Sequence, residues 1–139
     1  MCWGPDSHAV VASGLREAFA QMAAARSYRK ILMMVETCFS VGVMEQCAGL
    51  PGMLFITAAD KNETSKADIF SEQFNVWMSN RFTSTFIEQV NANRSISMRD
   101  MYYRLFINTV GSHVMVYNAN LFDNLYSSDM SEFIICRHN

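Results

Sequence analysis

A chain of 139 residues can bury one sizeable core and is too short for two ordinary domains, so residues 1–139 are expected to form a single domain or part of one. Half the residues are hydrophobic and 17% are charged, which excludes a disordered chain. The formal net charge of −2 comes from interspersed acids and bases, with no lysine or arginine block to track a phosphate backbone, which argues against a nucleic-acid partner.

In chain order, Ser13 reads as the cap of a helix over 14–27, with Leu15, Phe19 and Met22 at helical spacing. The basic turn Arg26-Ser27-Tyr28-Arg29-Lys30 leads into Ile31-Leu32-Met33-Met34-Val35, apolar on both faces and therefore a buried, parallel strand. Gly42, Gly49, Pro51 and Gly52 mark a loop with at most a short helix, and Met53-Leu54-Phe55-Ile56-Thr57 is a second apolar strand. The polar stretch 58–66 lies beyond that strand's end, where an active-site loop would sit. Phe74, Met78, Phe82, Phe86 and Val90 step by four, with Trp77 and Ile87 beside them, and predict one long helix over 72–91. Ser97 and Asp100 predict the start of another helix with Met101, Leu105 and Phe106 inward, and 113–117 reads as a further strand. This order predicts an α/β layered domain with a mostly parallel central sheet flanked by helices. Eleven Met and ten Phe, set mostly inside the periodic segments, are expected to fill its core.

No apolar run approaches the roughly 18 residues of a membrane span, and the start, Met1-Cys2-Trp3-Gly4-Pro5-Asp6, lacks the regions of a signal peptide, so these residues are expected to hold neither. Cys2, Cys38, Cys47 and Cys136 show no Cys-x-x-Cys pair and no histidine spacing suited to zinc, so no metal or other cofactor is expected. Disulfides and separate thiols both remain open for them. Ligands of open α/β sheets bind beyond the carboxyl ends of the strands. Cys38 falls there, three residues past Val35, and a thiol is intrinsically nucleophilic. A small apolar residue ending a strand is the alternative.

The run from Arg29-Lys30 through the first strand to Glu36-Thr37-Cys38 resembles the strand-to-nucleophile segment of the legumain family of cysteine peptidases, to which the catalytic subunit of the glycosylphosphatidylinositol transamidase is related. The resemblance continues through Ile56-Thr57-Ala58-Ala59, Glu63-Thr64-Ser65, Asn80-Arg81-Phe82-Thr83 and Ser112-His113-Val114-Met115-x-Tyr117, covering about 14–118. It implies a three-layer caspase-like fold, here without its N-terminal strands. It also implies a Cys-His dyad with Cys38 as nucleophile, and an oxyanion hole that includes the Cys38 amide. A specificity pocket is implied at Glu36 and Ser65, with Ser71, or else Asp68, where relatives place a second pocket acid. Phe39 stands where legumain proper has an acid, which tells against strict asparagine preference.

The family's catalytic histidine lies in a His-Gly turn some forty residues before the nucleophile, which runs off the start of this chain. His8 follows that place and precedes Ala9 rather than Gly, His113 belongs to the late strand motif, and His138 is in a tail. The expectation is therefore a C-terminal, nucleophile-bearing part of a proteolytically processed or longer precursor, active only with an N-terminal chain that supplies the histidine. Hydrolysis after a polar or basic residue, transamidation through the same thioester, and a non-catalytic caspase-like interaction module are the functions the resemblance leaves open. A peptide or protein would be the substrate, and a secretory, lysosomal or otherwise extracytoplasmic setting is implied.

Overall fold

The computed structural model describes residues 12–134. Its elements are α1 (Ala12–Ala24), β1 (Ile31–Val35), α2 (Val41–Cys47), β2 (Met53–Thr57), β3 (Ala67–Ser71), β4 (Val76–Asn80), α3 (Arg81–Ala92), α4 (Met98–Asn108), β5 (Met115–Tyr117) and α5 (Ala119–Phe122), followed by a 3-10 turn at Met130–Glu132.

A three-stranded sheet in the order β1-β2-β5 forms the middle layer. β1 and β2 run parallel with Ile31 opposite Met53 and Val35 opposite Thr57, whereas β5 joins the far edge of β2 antiparallel. Strand side chains alternate between faces, and each face here has its own core. Leu54 and Ile56, with Leu32 and Met34 beside them, pack with Phe82, Met98, Met101, Leu105 and Phe122 on the α3–α4 side. Met53 and Phe55, with Ile31, Met33 and Val35, pack with Met44, Cys47, Leu15 and Phe19 on the α1–α2 side. Helices on both faces explain why the strand sequences are continuously apolar rather than alternating. The result is the expected three-layer α/β architecture. β2, fully buried, is its centre, while all five residues of β1 are only half-buried. Among the described residues, no strand lies along the outer edge of β1.

Three local expectations change. Ser13 lies inside α1 rather than capping it, and the helix stops before 27 because Arg26 adopts a left-handed φ of 50°. Ser27 N–H then reaches back to the Met22 carbonyl at 3.0 Å, closing the helix end. The helix predicted over 72–91 is instead the second strand of an antiparallel hairpin, β3–β4, running into α3. Steps of four at Phe74, Met78 and Phe82 imitate a helical face, but Asn75 takes the left-handed conformation of a turn, and aromatic and β-branched Phe70, Val76 and Trp77 suit strands. The helix starts only where the Asn80 side chain caps it, accepting Thr83 N–H at 3.0 Å. Phe82 is buried from there, while Phe74, Trp77, Met78 and Ile87 are exposed. In α4, Ser97 is the cap, accepting Asp100 N–H at 3.0 Å, and Met101 and Leu105 face inward, but Phe106 is exposed. It falls next to Leu105 on the turn that faces away from the sheet.

Candidate active site

The parallel ladder of β1 ends where Ala58 N–H donates to the Val35 carbonyl at 2.9 Å. Beyond it a turn of five residues carries the chain into α2, and Cys38 stands exposed in its middle. Phe39, the next residue, has a φ of 56°, unfavourable for any residue with a Cβ. Its N–H donates to the Glu63 carbonyl at 2.8 Å, and its own carbonyl accepts Gly42 N–H at 3.1 Å. Ser40 is fully buried; its hydroxyl donates to the Ala59 carbonyl at 2.7 Å and accepts Ala59 N–H at 3.2 Å. The turn is thus fixed on two sides while the thiol faces solvent. Among the described residues, no acceptor takes the Cys38 N–H. The other described thiol, Cys47, is buried under α1, and burial pushes its pKa up, which makes it an inert core residue.

Glu36, two residues before Cys38, lines a cavity of about 300 Å³ together with Ala67, Trp77, Met78, Ser79, Asn80 and Thr83. Asn80 organises this cavity: its carboxamide oxygen caps α3, and its amide nitrogen donates to Ser65 Oγ at 3.2 Å. The hairpin contributes an apolar wall. Register shifts on either side of Ile69 bulge both strands, and a bulge re-aims the side chains around it. Adjacent residues Trp77 and Met78 accordingly line the same cavity, and Trp77 is held edge-on to Phe70 at 5.2 Å between ring centroids. Of the residues singled out from sequence, Glu36 lines this cavity and Ser65 is bonded to its Asn80. Ser71 is not brought there: it pairs with Val76 at the other end of the hairpin, and its hydroxyl accepts Phe74 N–H at 3.4 Å. Asp68 belongs to β3, in the bulged stretch after Ala67.

The loop after β2 ties these parts together. The Glu63 carboxylate accepts His113 N–H at 2.8 Å and Asp60 N–H at 3.3 Å, and also contacts His113 Nδ1. The hydrogen bonds from the His113 backbone and ring, in that order, hold the Glu63 carboxyl below the usual carboxylate range. One residue earlier, Ser112 Oγ donates to the Ala58 carbonyl at 2.7 Å. His113 is thus engaged by Glu63, while His8 and His138, like Cys2 and Cys136, lie outside the described residues. The roles of Asn80, Ser40 and the Glu63–His113 pair were not read from the sequence. Asn80 alone carried a usable signal, as a preferred cap residue just before Arg81-Phe82-Thr83.

No helix among the described residues is long and apolar enough to cross a membrane. The GPI-anchor transamidase of Saccharomyces cerevisiae is 26% identical over 121 residues, which cover 85% of this chain and 29% of that protein. The chain therefore spans less than a third of the length of the curated relative it matches. The model of the peptidase C13 family matches residues 3–132, taking in the turn that bears Cys38, the cavity and both cores. The chain belongs to the peptidase C13 family, a cysteine peptidase family whose caspase-like fold agrees with the three layers described.

Proposed function

We propose that this chain carries the nucleophilic half of a cysteine endopeptidase active site, with Cys38 as the attacking thiol. The observation that carries the reading is the exposed Cys38 at the carboxyl end of β1, in a turn fixed by Glu63 and Ala59, beside the cavity lined by Glu36. The Cys38 thiol passes its proton to a histidine as its sulfur bonds to the scissile carbonyl carbon, and the negative charge gathers on the carbonyl oxygen. The Cys38 N–H, without an acceptor among the described residues, suits that oxygen. The C–N bond then breaks, the amine leaves with a proton from a histidine, and water releases the thioester. That histidine comes from a segment preceding Met1, laid parallel along the outer edge of β1, so that residues 1–139 are part of one caspase-like domain. The half-buried state of β1 supports this, because a strand added there would complete its burial and end beside Cys38.

In this reading Glu36 and Ser65 shape the pocket for the residue before the scissile bond, with Asp68 close by on β3 and Ser71 as the weaker candidate. A carboxylate at the cavity selects a hydrogen-bond donor, which favours cleavage after a polar or basic residue. An extracytoplasmic or secretory setting follows only from the resemblance to the legumain family. The similarity to a GPI-anchor transamidase favours a second reading, in which an amine rather than water takes the acyl group from Cys38.

The test uses the full-length protein and peptides varied at the residue before the cleaved bond. Cys38→Ala is expected to lower turnover by at least about a thousandfold. Turnover in water alone supports hydrolysis, whereas turnover that requires an added amine acceptor such as hydroxylamine supports acyl transfer. Undiminished turnover in Cys38→Ala would refute both readings.

A further inference from the structure

Glu63 serves two parts of the site at once. Its carbonyl receives the N–H of Phe39, the first amide after the nucleophile, and its carboxylate grips the approach to β5 through the His113 N–H and ring. Between β2 and β3 the loop that carries Glu63 has no strand partner. Apart from the carboxylate contacts, Glu63 is bonded within its own loop by its N–H to the Asp60 carbonyl, at 3.2 Å. The turn on the other side of the bond needs outside support, because Phe39 holds a left-handed conformation that its Cβ disfavours. A carboxylate anchored on the segment leading into β5 supplies that support, since it fixes where the Glu63 carbonyl points.

We infer that Glu63 is a positioning residue for the nucleophile, and that its clasp on His113 holds the Phe39 amide, and with it the Cys38 backbone and thiol, in the attacking orientation. The inference rests on the reading of Cys38 as the nucleophile. His113 thereby acquires a role although it is not the proton-transfer partner: it is the fixed point against which the loop is set. Ser65 follows two residues later in the same loop, but it is also held by Asn80, so binding is less dependent on the clasp than the chemical step is.

The experiment compares full-length wild type with Glu63→Ala, Glu63→Gln, His113→Ala and the double variant Glu63→Ala/His113→Ala. Lys61→Ala, which removes a surface ion pair to Glu45 in the same loop, is the control. Two readouts are taken: kcat and KM on a peptide substrate, and the rate at which iodoacetamide alkylates Cys38, with Cys38→Ala as the blank. Glu63→Ala and His113→Ala are each expected to lower kcat about 10- to 100-fold with KM changed less than about threefold, a loss of the size that misplacing a reacting group brings. The alkylation rate should move by at least about threefold in the same variants. Glu63→Gln keeps an acceptor for His113 N–H and should restore part of the loss. The double variant should be no worse than the poorer single one, because the two side chains act as one unit. Values of kcat and alkylation within about twofold of wild type in both single variants, or effects that multiply in the double variant, overturn the inference. Undiminished turnover in the blank defeats the reading of Cys38 instead, and the alkylation rates still report on the clasp.

Discussion

Replacing Ser40 by alanine probes the suture beneath the Cys38 turn, and the bonds around Ala59 give its size. Ser40 Oγ is both donor to the Ala59 carbonyl, at 2.7 Å, and acceptor of the Ala59 N–H, at 3.2 Å, and both residues are fully buried. The carbonyl has a second partner, Thr57 Oγ1 at 3.2 Å; the N–H has no other acceptor among the described residues. Ser40→Ala therefore strands one buried donor while leaving the carbonyl served, a cost of about 1–3 kcal/mol. Thr57→Val removes a donor from an oxygen that keeps Ser40, and should cost only about 0.5–1.5 kcal/mol. In the double variant both polar groups of Ala59 are orphaned, so its loss should exceed the sum of the single losses by about 1 kcal/mol. Urea unfolding of the full-length protein, followed by circular dichroism, measures all three. A Ser40→Ala variant within about 0.5 kcal/mol of wild type, or a Thr57→Val variant that loses as much as Ser40→Ala, refutes the reasoning.

Lys30 Nζ lies 2.9 Å from Ser128 Oγ, Glu132 Oε2 and Asp123 Oδ2, tying the start of β1 to the last turns of the described chain. Hydrogen bonds from Lys30 hold both carboxyls below their ordinary values, so their contribution is complete above about pH 5 and is lost as pH falls through the lowered values. The Lys30 pKa is raised, by its bond to Glu132 first, so its contribution is complete up to its ordinary value of 10.5 and is lost only above that. Lys30→Met should lower the urea midpoint at pH 7 and flatten its decline between pH 5 and pH 3; parallel curves would contradict this. Thr109 Oγ1 is buried with no protein hydrogen-bond partner among the described residues, so the isosteric Thr109→Val should raise stability by about 0.5–1.5 kcal/mol, read by the same urea midpoint. Trp77→Ala removes the apolar wall of the Glu36 cavity and should raise KM for peptides about 5- to 50-fold with a smaller change in kcat, by the loss of one aromatic contact surface.

The sequence displayed the layered core because helices pack on both faces of the sheet, and continuous runs such as Met53-Leu54-Phe55-Ile56-Thr57 have no other stable use in a chain of this size. The place of Cys38 was legible for the same reason, since a residue three positions past an apolar parallel strand falls beyond the carboxyl end of that strand. The hairpin was not. Its wall of Phe70, Trp77 and Met78 is exposed, so no burial pattern marks it, and the spacing of Phe74, Met78 and Phe82 happens to fit a helix. The clasp was hidden differently: Glu63 and His113 are fifty residues apart, and only the antiparallel return of β5 brings them together.

What holds the thiol in place is mostly backbone, and this accounts for two small residues at the end of β2. Ala58 donates to Val35 and accepts from Ser112; Ala59 donates to Ser40 and accepts from Ser40 and Thr57. All four polar groups of this dipeptide are thus engaged, and they join three segments that are distant in sequence: the turn bearing Cys38, the loop of Glu63, and the approach to β5. Both alanines are fully buried, so a larger side chain at either would push one of those segments away, and the bonds of the remaining ones would stretch with it. A site assembled this way depends on the sheet's register more than on any single side chain. It also explains how the thiol can be exposed without being loose: Thr37, Cys38 and Phe39 face solvent, while Ser40 below them is anchored in the core.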